Sequence, residues 1–342
     1  MQDLIIFPLF IGLFFITNIL FKKNNFLIDK YESSNHKKYM NIEKVPINGG
    51  ILCFLFVIFF FNNLNYYDYL FLFLIMFIGI LSDLDILRSP SKRLIIQILI
   101  ITTYVIIKDE TINSTRIFYA DYLLSNTIFF KYFFTSLCLI ILINGVNFID
   151  GTNMLAGGFI FVTLFCLVLF IGPDQVNSFN SHILGLIYFL LAFLSFNLFS
   201  KSFLGDSGSY LLAAILGFIC INYSNYFQFV VSPYFIAVLL LYPALENLFS
   251  ILRRGIFEKK SPNQADNLHL HHLVSNYLSK HFKSKKLNNS LTGITINSVL
   301  LIFGLIAINY ANQTKQLIFL ILVKTLIYIL SYFYLKKYIK QK

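Results

Sequence analysis

Apolar residues in this chain run in long blocks broken by short polar stretches, with neither the strict alternation of a half-buried strand nor the single stripe of a soluble helix. A helix needs about 20 apolar residues to cross a bilayer. Blocks of suitable length fall near 4–21, 48–64, 68–82, 93–107, 128–145, 155–172, 182–199, 208–225, 227–252, 293–310 and 316–335. The run YLFLFLIMFIGIL at 69–81 also fits a buried strand. Its neighbours are spans, however, and backbone facing lipid must close its hydrogen bonds within its own segment, which favours a helix. The pattern predicts an all-α, polytopic membrane bundle of about eleven helices. It forms a single domain over 1–342, with one sizeable polar insert at about 253–290 and no internal repeat.

Composition sharpens this. Of 342 residues, 57% are hydrophobic and 13% charged, with a mean hydropathy of +0.72, whereas soluble domains carry about a quarter charged residues. A soluble enzyme is excluded. The formal net charge of +11 invites a nucleic-acid partner until the charges are mapped. With the loop at 22–47 in the cytoplasm, 22 lysines and arginines fall on that side. They are six lysines in 22–47, Arg88, Lys92, Arg93, Lys201, eight residues in 253–286 and four after 335. Outer loops hold Lys108, Arg116 and Lys315, while Lys131 and Lys324 lie within spans. This is the asymmetry of the positive-inside rule. It puts the N-terminus outside and the C-terminus in the cytoplasm, and it excludes nucleic acid as the reason for the basic excess. Cys53, Cys138, Cys166 and Cys220 stand singly in apolar runs, without the spacing of a disulfide framework or zinc site. Lys22 and Lys23 follow the first apolar block rather than precede it, the reverse of a cleavable signal peptide.

The few acidic residues are informative by position. Asp83, Asp85, Asp150, Asp206, Glu246 and Asp266 all map to cytoplasmic loops or their edges. Singly, each is also what a wet loop contains. Jointly, four loops bring carboxylates to one face. Asn144, Asn147, Asp150 and Asn153 recur every third residue, a slowly rotating polar stripe at the end of a span. The glycines around Asp206 (Leu204-Gly205-Asp206-Ser207-Gly208) allow close backbone approach to a ligand, and also suit an ordinary turn. Carboxylates and amides suit a hard divalent ion such as Mg²⁺, which takes one or two carboxylates and leaves positions for phosphate oxygens. Arg88, Lys92, Arg93, Lys201, Arg253 and Arg254 share this side, where they neutralise phosphate or anchor to anionic membrane lipid. Asp266, His269, His271 and His272 lie within seven residues. A zinc site there needs Asp266 as a ligand, and phosphate contact by imidazole N–H groups is the simpler reading.

These residues resemble the polyprenyl-phosphate N-acetylhexosamine-1-phosphate transferase family, which includes the initiators of O-antigen and teichoic acid synthesis and the phospho-N-acetylmuramoyl-pentapeptide transferase. The likeness rests on five elements in order: Val45-Pro46 with Gly49-Gly50; the aspartate loop with Ser89-Pro90 and Arg93; Asn144-Gly145-Val146-Asn147-Phe148-Ile149-Asp150-Gly151; Phe203-Leu204-Gly205-Asp206-Ser207-Gly208; and Asp266 with His269-Leu270-His271-His272. It implies a bacterial inner-membrane enzyme of ten or eleven helices, with its site on the cytoplasmic side. Such an enzyme moves a sugar 1-phosphate from a UDP-sugar to undecaprenyl phosphate, uses Mg²⁺, and releases UMP, starting a lipopolysaccharide or cell-wall polymer. By the same resemblance, Asp206 with Asp83 holds the metal and Asp150 is a catalytic acid. Asn147, Asn153 and Arg93 line the substrate site, Asn197 and Phe203 contact uridine, and His269, His271 and His272 bind the diphosphate. A homodimer is in keeping with the family.

The chain departs from the family at three points. Ser82 stands where the family's aspartate pair has its first member, Asn153 replaces a second Asp after Asp150, and Glu246 replaces a frequent Asp after Pro243. Asp85 is two residues beyond Asp83 and cannot share its helical face. A transporter or flippase of lipid-linked sugars has the same hydropathy, but such proteins place ionisable residues at mid-membrane. Here only Lys324 does so.

Overall fold

The computed structural model describes residues 2–29, 44–61, 64–172, 182–258, 268–282 and 284–340. Thirteen α-helices occur among them: α1 Gln2–Asn24, α2 Gly49–Phe60, α3 Tyr66–Asp83, α4 Pro90–Lys108, α5 Phe118–Asn126, α6 Ile128–Ile149, α7 Leu155–Ile171, α8 His182–Asn197, α9 Gly205–Tyr226, α10 Pro233–Leu252, α11 Leu270–Leu278, α12 Lys285–Ile308 and α13 Thr314–Lys340. Local chemistry sets several of their starts. Asn65 and Asp68 form a reciprocal capping box on α3. Ser89 caps α4 and Ser232 caps α10, each followed by Pro at the first helical position.

Eight helices are long and apolar enough to cross a membrane, and three more, α2, α7 and α8, are apolar but shorter. Together they correspond to the eleven blocks read from the sequence. Two short helices, α5 and α11, occupy segments predicted as loops, and the described residues of the insert at 253–290 are largely helical. A π-helical turn Arg253–Glu258 precedes α11, and α12 starts at Lys285, well before the predicted 293, because Ser284 caps it. The span predicted from 227 begins at Pro233, since Phe227 ends α9 and Ser232-Pro233 restarts the chain.

The twelve residues of α2 rise only about 18 Å at 1.5 Å each, short of a hydrocarbon core of about 30 Å. Its missing length is filled by the segment before it, which enters the bundle without helical structure. Ile28 bridges Pro46 antiparallel and Ile47 bridges Phe203 in parallel. The Asn48 side chain, fully buried, donates to Thr17 and Asn18 (2.9 Å each) and accepts from Ser202. Irregular backbone inside a membrane protein is tolerated when its polar groups are paired in this way.

Helix α9 runs through the centre, packed on α3, α6 and α2 and buried along most of its length. Successive crossing helices alternate in direction. One end of the bundle therefore collects the C-termini of α1, α3, α6, α8, α10 and α13 and the N-termini of α2, α4, α7, α9 and α12. The chain's first helix starts at the opposite end from the one where its last helix finishes. Lys324, the charged residue deep in α13, is buried. It donates to the Val238 carbonyl (2.7 Å) and lies over the Phe303 ring, a contact that ties α13 to α10 and gives the charge a partner in the bundle interior.

Candidate active site

The site forms where α3 and α9 cross. Gly79 makes this crossing possible, because a Cβ there would lie 2.3 Å from the Ser207 Cα. Asp83, the last residue of α3, thereby reaches the start of α9. No side chain of α9's own N-cap residue, Leu204, caps that helix, and Asp83 satisfies its open donors instead. Its Oδ1 accepts from the Asp206 N–H (2.8 Å), and its Oδ2 from the Ser207 N–H (3.1 Å) and hydroxyl (2.7 Å). A carboxylate at a helix N-terminus satisfies orphan N–H groups and opposes the helix dipole. Gly205 takes a left-handed turn (φ +72°) immediately before, with the Asp83 carboxylate against its α-carbon.

Asp206 is thus held by its backbone while its side chain stays accessible, at 25% exposure. Three side chains from three helices converge on it. Ser82 of α3 donates to Oδ2 (2.5 Å), Arg93 of α4 pairs with the same oxygen and also contacts Ser82, and Asn147 of α6 donates to Oδ1 (2.7 Å). Asn147 also donates to Ser209 (3.0 Å). Ser82, where the family pattern has a carboxylate, is here a donor to the neighbouring aspartate. Asp85 lies in the exposed turn beyond α3 and offers its carbonyl to Arg88.

Further predicted residues lie around this cluster. Asp150 is half-buried at the C-terminus of α6, one turn beyond Asn147. The expected stripe from Asn144 to Asn153 is broken because the helix stops at Ile149. Asn144 turns to Gln97 of α4 (3.0 Å), and Asn153 lies past the helix end. Asn153 and Asn197, expected to meet substrate, are buried with their amides turned to the chain itself. Asn153 donates to Ser200 (2.6 Å) and Ser290 (3.2 Å), while Asn197 accepts from the Met154 N–H (2.6 Å) and donates to the Ser202 carbonyl (2.9 Å). They join the segment after α6 to the segment after α8. Phe203 is half-buried, with its backbone fixed to Pro46 (2.9 Å) and Gly49 (3.1 Å).

The histidines form a second group. His269 is the residue preceding α11, and His271 and His272 lie in its first turn. Ring centroids are 5.5 Å apart for His269–His271 and 4.2 Å for His271–His272. His269 also faces Phe148 of α6 at 5.8 Å, and the His271 ring packs on Gly151, which follows Asp150. The α6–α7 turn therefore lies between the two groups. Asp266, read from the sequence as part of this motif, falls outside the described residues. Glu246, placed by the sequence among the acids at the loop edges but given no role, is fully buried and faces His269 at 3.1 Å. The available signal was the cost of an acid in an apolar helix, which demands a partner.

Among the described residues, no group of three or more His, Cys, Asp or Glu side chains forms a metal cage. Asp206 presents a partly exposed carboxylate beside Asp83, whose two oxygens accept from the start of α9. Carboxylate oxygens suit a hard cation, which takes one or two of them and completes its shell with water and phosphate.

A carboxylate, a guanidinium, a hydroxyl and an amide converging at one end of a helical membrane bundle make a polar group suited to a phosphorylated ligand. The comparisons with known proteins agree. The profile of glycosyl transferase family 4 matches residues 66–224, the stretch from α3 to α9 that carries Ser82, Asp83, Arg93, Asn147, Asp150 and Asp206. The undecaprenyl-phosphate alpha-N-acetylglucosaminyl 1-phosphate transferase of Thermotoga maritima is 26% identical over 333 residues, covering 95% of each chain. Its namesake from Salmonella typhi is 26% identical over 260 residues, 72% of this chain and 69% of the relative. The decaprenyl-phosphate N-acetylglucosaminephosphotransferase of Mycolicibacterium smegmatis is 30% identical over 155 residues, 38% of this chain and 37% of the relative. Across the stretch from α3 to α9 the chain is similar to glycosyl transferase family 4.

Proposed function

We propose that this protein transfers a sugar 1-phosphate, an N-acetylhexosamine 1-phosphate, from a UDP-sugar to undecaprenyl phosphate, releasing UMP and initiating a cell-surface polysaccharide. The observation that carries the reading is the convergence of Ser82, Arg93 and Asn147 on Asp206, itself anchored by Asp83, at one end of the bundle. A phosphoryl centre attacked by another phosphate needs alignment and charge neutralisation more than covalent help. A half-exposed cluster of acid, guanidinium and amide fits that need. The relatives are named for transfer onto a polyprenyl phosphate.

A Mg²⁺ at this site would be held by Asp206 with Asp83 and would supply neutralisation of the donor's paired phosphates. Arg93, already paired to Asp206, releases a guanidinium to phosphate oxygens when substrate arrives, since guanidinium matches phosphate in a bidentate fork. Asn147 orients the Asp206 carboxylate, and Asp83 keeps its backbone fixed. His269, His271 and His272 contact the diphosphate, Phe203 offers a ring to the uracil, and Asp150, between the two groups, faces the acceptor phosphate. That phosphate attacks the phosphorus next to the sugar. The bond from this phosphorus to the bridging oxygen breaks, and UMP leaves. One diphosphate linkage is lost and one formed, so the reaction runs readily in reverse. The protein lies in the bacterial inner membrane with this end in the cytoplasm, the end that collects most of the lysines and arginines.

The test is UMP exchange into UDP-sugar, dependent on lipid phosphate, by purified protein in detergent or nanodiscs. Wild type catalyses it, and Asp206→Asn loses at least about 100-fold in turnover. Near-normal rates in the variant, or full activity after exhaustive EDTA treatment, remove the metal assignment. No exchange with any UDP-sugar rejects the transferase reading.

A further inference from the structure

Glu246 lies outside the stretch matched by the family profile and near the inner end of α10, yet it is fully buried. A carboxylate in such a place is costly unless each oxygen is satisfied. Here both are. Oε1 accepts from the Leu270 N–H (2.9 Å) and faces His269 Nδ1 (3.1 Å), and Oε2 accepts from the Tyr328 hydroxyl of α13 (3.2 Å). The donors come from two other elements, the start of α11 and α13.

The Leu270 contact concerns the first residue of α11. His269, at the N-cap position, makes no side-chain cap of its own, so a carboxylate from another helix caps α11. Glu246 thus decides where α11 starts and hence where the three imidazoles of its first turn stand. The His269 contact adds a chemical constraint. An ionised carboxylate only accepts hydrogen bonds, so the nitrogen facing it carries the proton. Ser250 lies at 3.1 Å from the same nitrogen. With Nδ1 committed to Glu246 and Ser250, Nε2 is the opposite edge of the ring. That ring lies against Phe148, the residue after Asn147.

We infer that Glu246 is a positioning residue for the donor diphosphate: it caps α11 and, by accepting from the His269 Nδ1–H, sets the orientation of that ring and the place of the first-turn imidazoles. The inference rests on the transferase reading above, and it assigns Glu246 no contact with substrate. Where a histidine binds a metal, removing its carboxylate partner typically costs about 10–100-fold, which sets the scale for such a positioning contact.

The experiment compares wild type, Glu246→Gln and Glu246→Leu in the UMP-exchange assay, with thermal unfolding in the same detergent and NMR of ¹³C/¹⁵N-histidine-labelled protein. The His269 signals are identified by their loss in His269→Asn. Glu246→Gln keeps the shape and an acceptor for Leu270, so its KM for the UDP-sugar rises several-fold with kcat little changed. Glu246→Leu raises KM about 10-fold or more, and the His269 ring shifts from the Nδ1-protonated form to a mixture. The inference is overturned if folded Glu246→Leu retains wild-type KM, or if the wild-type His269 ring carries its proton on Nε2 alone. Should Glu246→Leu fail to fold, Glu246→Gln and the wild-type tautomer decide. Absence of exchange in wild type rejects the transferase reading instead, while the tautomer measurement still tests the placement of His269.

Discussion

The two ends of the bundle are both polar, but their polar groups are bonded differently. At the end far from the site, Arg116 donates to the backbone carbonyls of Asn312 (2.9 Å), Gln228 (3.2 Å) and Val231 (3.3 Å), as well as to the side chains of Asn312 and Thr314. Beside it, Asp121 accepts from the Thr115 and Arg116 N–H groups (2.6 and 3.1 Å) and from the Ser114 and Thr115 hydroxyls. Asp206, at the site end, is held by three side chains. A backbone partner stays in place unless its loop moves, whereas between two side chains both partners can turn about their χ angles. The far end is a clamp, and the site end is a set of groups that substrate can rearrange. Asp83 is the instructive exception at the site end. Its bonds run mostly to backbone N–H groups, so it acts as framework for Asp206.

The largest effect that probes this contrast is at Arg93. Arg93→Ala is expected to lower turnover about 100-fold, comparable to loss of a preorganised charge-stabilising group, while the thermal midpoint stays within a few degrees. A large fall in stability with turnover preserved would make Arg93 framework and dissolve the distinction. Next is the mirror experiment. Arg116→Ala is expected to cost about 1–2 kcal/mol of stability, moderated by the residue's exposure, with unchanged kcat and KM. A kinetic effect without destabilisation would mean that the far end communicates with the chemistry. The smallest effect is at Asp121. Burial pushes its carboxyl up, but the N–H and hydroxyl groups of residues 114–116 outweigh this and hold it below the ordinary value. A lowered folded-state value means the stabilisation is full above the ordinary carboxylate range and is lost as pH falls through the lowered value. Wild type and Asp121→Asn should therefore differ in thermal midpoint at neutral pH and converge in acid. Parallel curves down to acid pH would show that the ionised carboxylate contributes nothing.

Several parts of the molecule were legible in the chain because they depend on local pattern. Hydrophobic blocks mark eleven helices, since a segment facing lipid must satisfy its backbone internally whatever surrounds it. The placement of Asp83, Arg93, Asn147 and Asp206 at one end follows from counting crossings. Helix α5 was missed because its aromatic residues lie in a stretch too short to span, and α11 because its start is set by a carboxylate from another helix. Asn153 and Asn197 show the limit from the other side: their residue types suit a binding site, but their neighbours, Ser200, Ser290, Met154 and Ser202, come from other segments.

Periodicity and charge bias thus settled that this is a membrane helix bundle with its acids and amides at the helix ends, because burial in lipid is written into every segment separately. Only the tertiary structure decided which of those groups meet. Ser82 reaches Asp206 across 124 residues, and Glu246 finds the histidines from another helix, through close crossings such as the one at Gly79. Pairing between ends depends on helix approach and rotation, and no single segment of sequence encodes either.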